Sequence, residues 1–306
     1  MQIHLAQSAG FCFGVRRAIK IARCLAASHK TVFMLGDLVH NETVIRELAA
    51  AGIHKIKRLR PERRITTSRC ASRSARRGSR RLLIRAHGAS RRTLNLARRH
   101  GYTLVDATCP MVHEIHRIVR SMDRQGRRII VIGDRRHDEV LGIVGQIAHQ
   151  AVIIDPLSRI PWTALSRVHK AAIVVQSTQN LDRVLPIVER LKKRIPDMRF
   201  FNTICKPTRM KQEEIKILPL QNDAMLIIGS RTSANTKRLH EISKALNPRT
   251  HWIQSPGELN SHWFRSVRTL GITAGASTPE TTTHAVIARI RVLTGHAPTA
   301  HRQTVA

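Results

Sequence analysis

Three cysteines occupy equivalent places in this 306-residue sequence: Cys12, Cys109 and Cys205. Each follows an apolar stretch that is typical of a strand (IHLAQSAGFC, YTLVDATC and RFFNTIC), and each precedes a stretch with helical spacing of apolar residues. The cysteines are separated by 97 and 96 residues. This period predicts three copies of one structural unit, each of which carries a thiol at the turn between a strand and a helix.

Three equivalent thiolates suit two kinds of metal centre. A structural zinc site needs a fourth protein ligand and usually shows short Cys-x-x-Cys pairs, which this sequence lacks. An iron–sulfur cubane normally has four cysteine ligands, and with three of them one iron stays open to bind a substrate. Ordinary buried cysteines are the remaining interpretation. Cys24 and Cys70 do not follow the repeat, and we assign them to helix packing and to a loop.

A glycine at the end of a strand is the second repeated feature. The segments VFMLG, IIVIG and MLIIG end 24 residues after the three cysteines, at Gly36, Gly133 and Gly229. Strands that alternate with helices predict parallel α/β sheets, whose ligands gather at the carboxyl ends of the strands. Three such units are expected to bring the three cysteines to one centre.

Polar residues cluster after these strands. They are His40, Asn41, His137, Glu139, Ser233 and Asn235 in the loops after the glycines, and His87, Ser177, Thr178 and Ser277 at a third repeated segment. Histidines with serine and asparagine donors predict a pocket for a phosphate or diphosphate. One carboxylate near a metal cluster would serve as a proton donor, because desolvation raises the pKa of a carboxyl group.

The formal charge of +33 by itself suggests nucleic acid as a partner. Aromatic residues make up only 3% of the chain, so few side chains can stack on bases, and no zinc-finger spacing or RNP-like segment occurs. Arginine is spread over nearly every segment, which favours solvated basic faces and makes nucleic acid an unlikely partner. The positive field favours small anionic substrates and acidic electron carriers.

The predicted units cover residues 13–109, 110–204 and 205–294, and an N-terminal strand within 1–12 supplies the strand that the third unit lacks. Residues 58–81 are rich in Arg and Ser and are interpreted as a solvated insertion, or alternatively as an arm that binds nucleic acid or a membrane surface. Residues 295–306 are predicted to be a tail. Pro110 is predicted to begin a helix with Thr108 as its cap, and ELNSHWF is predicted to be helical.

No apolar stretch reaches the roughly 18 to 20 residues that a membrane span needs, so we expect no membrane partner. The first residues lack the charged and apolar regions of a signal peptide. Five cysteines, an odd number scattered over a long chain, do not resemble a disulfide framework. We therefore expect a cytoplasmic enzyme with reduced or metal-bound thiols.

Several motifs occur in the order known from one enzyme family. GFCFGVRRAI is similar to the family's GFCAGVxRAI, and VHN, AHG and DATCP match it directly. HDEVLGIVGQ, QSTQN, GSRTSANTKRL and ITAGASTPE are similar to HPEVxGxxGQ, QTT, GSxxSSNSxRL and TAGASxP. Through these motifs, from residue 1 to about 290, the chain resembles the 4-hydroxy-3-methylbut-2-enyl diphosphate reductases, the IspH or LytB family. This family catalyses the last step of the methylerythritol phosphate (non-mevalonate) route to isoprenoids.

The resemblance implies one [4Fe-4S] cluster per chain, with three cysteine ligands and one open iron. The ligands would be Cys12, Cys109 and Cys205, and the cluster would lie centrally between three pseudo-repeated α/β domains with parallel sheets. Glu139, through a network with Ser177 and His137, would deliver protons while two electrons reduce the allylic carbon and water leaves. The products would be isopentenyl diphosphate and dimethylallyl diphosphate.

The resemblance also assigns the binding of the allylic diphosphate to His40, His87, Ser233, Asn235 and Ser277, and it implies an external electron donor such as ferredoxin or flavodoxin. Three positions depart from the family pattern. Phe13 replaces a small residue and is expected to crowd the cluster, Ala234 removes one potential donor, and Ser177 replaces threonine but keeps the hydroxyl.

Two other functions compete with the reductase. A basic nucleic-acid-binding or non-catalytic protein that keeps the fold would bind nucleic acid with a steep salt dependence and would not need the cluster. An iron–sulfur dehydratase with an open iron would act without added reductant. The Cys, Glu and His set favours an iron–sulfur enzyme over the non-catalytic alternative.

Overall fold

The structure is a computed structural model that describes residues 1–29, 31–59 and 80–295. The sequence-based interpretations of the basic insertion, of Cys70 and of the tail fall almost entirely outside these ranges. The strands are β1 (Gln2–Leu5), β2 (Val32–Leu35), β3 (Ile53–Ile56), β4 (Arg81–Ile84), β5 (Thr103–Asp106), β6 (Arg128–Ile132), β7 (Val152–Ile154), β8 (Lys170–Val175), β9 (Asp197–Phe200), β10 (Ala224–Ile228), β11 (Thr250–Ile253) and β12 (Thr269–Ala274).

Helices alternate with these strands, as the sequence pattern predicts. They are α1 (Phe13–Ser28), α2 (Glu42–Ala50), α3 (Arg91–Arg99), α4 (Pro110–Arg124), α5 (Asp138–Val144), α6 (Trp162–Leu165), α7 (Leu181–Lys192), α8 (Lys206–Ile217), α9 (Ala234–Leu246) and α10 (Glu280–Leu293). In the described ranges, no helix is both long and apolar enough to cross a bilayer.

The strands form three sheets of four parallel strands each, in the orders β3-β2-β4-β5, β7-β6-β8-β9 and β1-β12-β10-β11. The same topology is used three times, because in each sheet the strand that precedes a cysteine lies at an edge. These sheets confirm the predicted fold class of repeated parallel α/β sheets.

Contacts divide the chain into two compact units, which are residues 1–12 together with 206 onward, and residues 13–205. The first contains one sheet, in which β1 pairs with β12 from Gln2 opposite Thr269 to Leu5 opposite Ile272. A strand from the beginning of the chain therefore completes a sheet built by its C-terminal part. The second unit contains the other two sheets, and the boundary at residues 109 and 110 stays a prediction.

β10 is apolar throughout, and β6 and β8 are apolar after their first residue, because helices cover both faces of a parallel sheet. All residues of β10, and all but the first of β6 and of β8, are buried. The helices are amphipathic instead, and α4 buries Val112, Ile115, Val119 and Met122, which are the residues that the sequence spacing predicts.

Three local predictions are wrong. The N-cap of α4 is Cys109 rather than Thr108, whose backbone N–H donates to the Asp106 carboxylate. The ELNSHWF segment forms short 3-10 turns at Pro256–Glu258 and Ser261–Phe264 instead of an α-helix. Cys24 is exposed on α1, so it does not pack in the core.

Two leucines of α7 test the packing of the second unit. Leu191 is fully buried, whereas Leu185 is 43% exposed on the same helix. We expect Leu191→Ala to lower the free energy of unfolding by about 2 to 5 kcal/mol, because it leaves a cavity. Leu185→Ala is the control and should cost less than about 1 kcal/mol. Urea unfolding measures both, and equal losses would contradict this packing.

Candidate active site

The same backbone hydrogen bond holds each of the three cysteines. The cysteine N–H donates to a carbonyl that lies two residues beyond the end of the neighbouring strand. The bonds are Cys12 to Ala276 (3.1 Å), Cys109 to Ala86 (2.9 Å) and Cys205 to Ser177 (3.1 Å). Each thiol is therefore carried by an edge strand and its neighbour, as the repeat in the sequence predicts.

The chemistry of these cysteines fits a metal centre. All three cysteines are of intermediate exposure. Cys12 and Cys205 directly precede α1 and α8, and Cys109 caps α4, so each thiol lies at a helix N-terminus. The positive end of a helix dipole favours the thiolate, which is the form that binds iron or zinc.

Three histidines from separate loops of the second unit form a cluster. The ring centroids lie 4.4 Å apart for His40 and His87, 5.1 Å for His40 and His137, and 5.4 Å for His87 and His137. Within the described residues, His87 Nδ1 is buried without a hydrogen-bond partner. A buried imidazole nitrogen that lacks a partner is costly unless a ligand supplies one. The cluster is therefore a candidate ligand site.

Burial keeps these histidines neutral near pH 7. It lowers the pKa of His40 below 6.5, the pKa of His87 well below that value, and the pKa of His137 to about 4. The Nδ1 atom of His137 accepts a hydrogen bond from the Glu139 backbone N–H at 3.2 Å, so we assign the ring proton to Nε2. His137 can thus act as a neutral hydrogen-bond donor through Nε2.

Arg85 adds a fixed positive charge beside this cluster. Its Nη1 atom lies 2.5 Å from the Asp138 carboxylate, and its charge contributes to the lowered pKa of His40, His87 and His137. The sequence analysis did not single out Arg85 or Asp138. Their position directly beside the histidines, in the RAHG and HDE segments, was the available signal.

Glu139 and Ser177 form a buried pair. Only 1% of Glu139 is exposed, and its carboxylate accepts hydrogen bonds from the Ser177 backbone N–H at 2.6 Å and from the Ser177 hydroxyl at 2.8 Å. Burial raises the pKa of Glu139, while both hydrogen bonds from Ser177 act in the opposite direction. This carboxyl group can hold a proton at a higher pH than an exposed glutamate can.

A continuous path of contacts joins two of the cysteines through these residues. It begins where Cys109 binds the carbonyl of Ala86, the residue before His87, and passes through the histidine cluster to His137. The Glu139 N–H then binds His137, and Ser177 binds both Glu139 and the Cys205 N–H. The structure thus brings a proton-holding group and polar donors together along a path that ends at the backbone of two of the cysteines.

The other unit carries a second polar group. Ser233 caps α9 and accepts a hydrogen bond from the Thr236 N–H at 3.3 Å. Asn235 is 3% exposed, and neither atom of its side-chain amide has a hydrogen-bond partner within the described ranges. Ser277, which follows β12, is buried as well. An unsatisfied buried amide again indicates a place for a ligand.

Glycines allow the strand ends to approach α9 closely. A Cβ atom at Gly229 would lie 2.7 Å from the Thr236 hydroxyl oxygen, and one at Gly275 would lie 2.0 Å from it. Gly229 also has a φ of +151°, which side chains rarely adopt. The recurring glycine thus lets the backbone pack directly against the first turn of α9.

Two of the three positions that depart from the family pattern, Phe13 and Ala234, lie in different surroundings. Phe13 is 63% exposed at the start of α1. Ala234 is the first residue of α9 and is buried between Ser233 and Asn235. The expected effects of Phe13 on a cluster and of Ala234 on the pocket stay predictions.

The sequence is similar to known proteins along nearly its whole length. The family model described as LytB protein matches residues 3–291. The 4-hydroxy-3-methylbut-2-enyl diphosphate reductase of Pelobacter propionicus is 35% identical over 290 residues, which cover 95% of this chain and 98% of the relative. The protein of the same name from Geobacter metallireducens is 36% identical over 291 residues, which cover 95% and 97%.

Solved structures give the same similarity. One is a structure of (E)-4-hydroxy-3-methyl-but-2-enyl diphosphate reductase, described as the terminal enzyme of the non-mevalonate pathway. Its TM-score is 0.65 and its sequence identity is 33%, and the match covers 95% of this chain and 100% of that chain. The E-1-hydroxy-2-methyl-but-2-enyl-4-diphosphate reductase from Plasmodium falciparum has a TM-score of 0.81 and 25% identity. This match covers 95% of the present chain and 88% of the Plasmodium falciparum chain.

The protonation of Glu139 gives a direct test of the buried pair. The Ser177 hydroxyl donates to the carboxylate and therefore stabilises its ionised form. We expect Ser177→Ala to raise the pKa of Glu139 further, and Ser177→Thr to leave it near the parent value. Isotope-edited infrared spectroscopy of the protonated carboxyl band against pH measures this shift. An unchanged or lowered pKa in Ser177→Ala would show that the hydroxyl does not bind the carboxylate.

Proposed function

Because this chain belongs to the LytB protein family, we propose that it reduces 4-hydroxy-3-methylbut-2-enyl diphosphate to isopentenyl diphosphate and dimethylallyl diphosphate. The observation that carries the proposal is the path from Cys109 through the histidine cluster to Glu139, Ser177 and Cys205. That path combines possible metal ligands, neutral donors for an anion and a carboxyl group with a raised pKa. Each is needed for reductive removal of a hydroxyl group from an allylic diphosphate.

The histidine cluster suits the diphosphate. Neutral imidazoles donate hydrogen bonds to phosphate oxygens, and the ion pair of Arg85 with Asp138 lies in the same region. Because the histidines stay neutral, diphosphate binding should not depend on their protonation near pH 7. Ser233, Asn235 and Ser277 are the further donors that we propose for the diphosphate, and the unsatisfied amide of Asn235 supports this assignment.

Cys12, Cys109 and Cys205 are the residues that we propose as ligands of one [4Fe-4S] cluster. Partly exposed cysteines at three helix N-termini fit such a group. When bound, the cluster would supply the electrons and an open iron for the substrate's hydroxyl group. The electron donor would be a ferredoxin or flavodoxin, and the formal charge of +33 favours an acidic carrier of that kind. A cytoplasmic location stays a prediction.

Glu139 is the group that we propose to deliver protons. The reaction consumes two electrons and two protons for each substrate, and it releases one water. One proton leaves in the water with the hydroxyl oxygen, and the other is added to the allylic carbon. The raised pKa of Glu139 favours its protonated form, and that form can donate to the Ser177 oxygen, whose own hydroxyl proton then becomes available.

The role of Glu139 predicts a selective loss of turnover. We expect Glu139→Gln to lower kcat by about 100-fold or more, because general acid catalysis contributes roughly 10²–10⁴ to a rate. Its iron and sulfide content should equal that of the parent. The assay uses chemically reduced dye and substrate, with the two products separated by mass spectrometry. Glu189→Gln, on the exposed face of α7, is the control, and a loss of activity in both variants or in neither would overturn the assignment.

His137 can be tested without losing the helix cap. Asparagine is also a preferred N-cap residue, so His137→Asn should keep α5 folded while it removes the imidazole donor. We expect KM for the diphosphate substrate to rise by about tenfold or more, since a hydrogen bond to a charged group contributes roughly 1.5–3 kcal/mol. Thermal unfolding controls for the fold. An unchanged KM would exclude His137 from the diphosphate site.

A further inference from the structure

A second cationic site lies in the unit of residues 13–205, away from the candidate active site. It is a cavity of about 710 Å³ beside α3 and α4, which we call the arginine cleft. Its lining residues are Arg91, Leu94, Asn95, Arg98, Arg120, Asp123, Arg124, Gln146 and Ala148. Arg124 ends α4, whose first residue follows Cys109, so the helix rise of 1.5 Å per residue places this arginine about 20 Å from that cysteine.

The positive charge of the arginine cleft is not balanced by the protein. Asp123 is the only acidic side chain among its described lining residues, and the Asp123 carboxylate lies 2.9 Å from His149 Nδ1 and accepts a hydrogen bond from the Ala148 N–H. Within the described residues, none of the four arginines of the cleft forms an ion pair. The cleft therefore holds a surplus of guanidinium groups.

The arginines of the cleft differ from arginines elsewhere on the chain that form ion pairs. Arg23 lies 3.2 Å from the Glu47 carboxylate, and Arg117 lies 2.5 Å from that of Glu114. A general excess of arginine would produce such exposed pairs as well as isolated charges pointing into solvent. A second basic cavity is lined by Arg127, Arg128, Arg167 and Lys170, but there Arg127 lies 2.7 Å from the Asp197 carboxylate.

One of these arginines is held in place by a buried network. Arg120 Nη1 donates to the side-chain oxygen of Gln146 at 3.1 Å. The amide nitrogen of Gln146 donates in turn to the carbonyls of Ala89 and Gly142 at 2.8 and 2.9 Å. Gln146 is only 3% exposed, so its oxygen is fixed toward Arg120. The guanidinium is positioned before any ligand arrives.

Like charges meet in the cleft. Burial lowers the pKa of Arg120, and the neighbouring charges of Arg91 and Arg124 lower it further. Positive groups this close repel each other, and a bound anion would relieve that repulsion. Guanidinium groups match phosphate oxygens in a two-pronged geometry, which makes phosphate the favoured anion.

We propose that the arginine cleft binds a small ligand that carries two or more phosphates. Four guanidinium groups exceed what a single phosphate needs. The volume is within the roughly 300–1,000 Å³ of small-molecule sites. None of the described residues that line the cleft is aromatic, so the phosphates rather than a base are recognised. The site is independent of the proposed reductase reaction.

Neighbouring arginines of α3 provide matched variants. All four arginines are exposed on this helix, but only Arg91 and Arg98 line the cleft, and Arg92 and Arg99 do not. The double variant Arg91→Gln/Arg98→Gln therefore has the same charge as the control Arg92→Gln/Arg99→Gln. All titrations use the full chain in a His137→Asn background, which weakens the diphosphate site of the histidine cluster.

The probe is inorganic tripolyphosphate, and calorimetric titration measures its Kd. We expect about tenfold or weaker binding in Arg91→Gln/Arg98→Gln, since a charged hydrogen bond contributes roughly 1.5–3 kcal/mol. The control should bind within about twofold of its parent. Equal losses in both variants would show a general charge effect and overturn the proposal, as would an absence of binding to the parent.

Two further measurements sharpen this result. Arg120→Lys keeps the charge but loses the two-pronged donor, and we expect it to weaken tripolyphosphate binding without lowering the midpoint of thermal unfolding. Parental affinity in Arg120→Lys would contradict the proposed role of the fixed guanidinium. A short duplex RNA is titrated in parallel. If Arg91 and Arg98 are needed to bind the duplex but not tripolyphosphate, the ligand of the cleft is a nucleic-acid backbone, and the proposal of a small ligand is overturned.

Discussion

The backbone hydrogen bond of each cysteine is the constraint on which the proposed chemistry depends. Each thiol is placed by the pairing of an edge strand with the inner strand next to it. Each cysteine N–H donates to a carbonyl that lies two residues after the end of that inner strand. For Cys12, the pairing joins β1 to β12 across most of the chain. A slip of one residue in any of these pairs would turn the strand's side chains to the opposite face and remove the thiol from its place. Metal binding by such residues is therefore inseparable from strand register.

Burial determines how the polar residues beside these thiols behave. It keeps His137 neutral and raises the pKa of Glu139, so that one residue can donate a hydrogen bond to an anion while the other retains a proton. Ser177 moderates this effect because its two hydrogen bonds stabilise the carboxylate. The carboxyl group thus stays able both to release and to regain a proton. Arg85 and Asp138 form an ion pair beside these imidazoles.

Much of this arrangement follows from sequence periodicity. Strand, turn and helix recur at a near-constant spacing, and this predicts three parallel sheets and equivalent places for Cys12, Cys109 and Cys205. Features that depend on the direction of a single side chain were not predictable in this way. Cys24 follows the buried Ala22 by two residues on α1, and about 100° of rotation per residue takes it to the exposed face. The charge contributed by Arg85 likewise depends on the packing of loops that are distant in sequence.

The central claim is that the three repeated cysteines hold one cluster. It is tested most directly by iron and acid-labile sulfide per chain after anaerobic reconstitution. The single variants Cys12→Ser, Cys109→Ser and Cys205→Ser are compared with the parent, and Cys24→Ser is the matched control on an exposed site. The account predicts about four irons and four sulfides in the parent and in Cys24→Ser, and a clear loss in each of the other three. Zinc in place of iron, or equal cluster content in all variants, would contradict it.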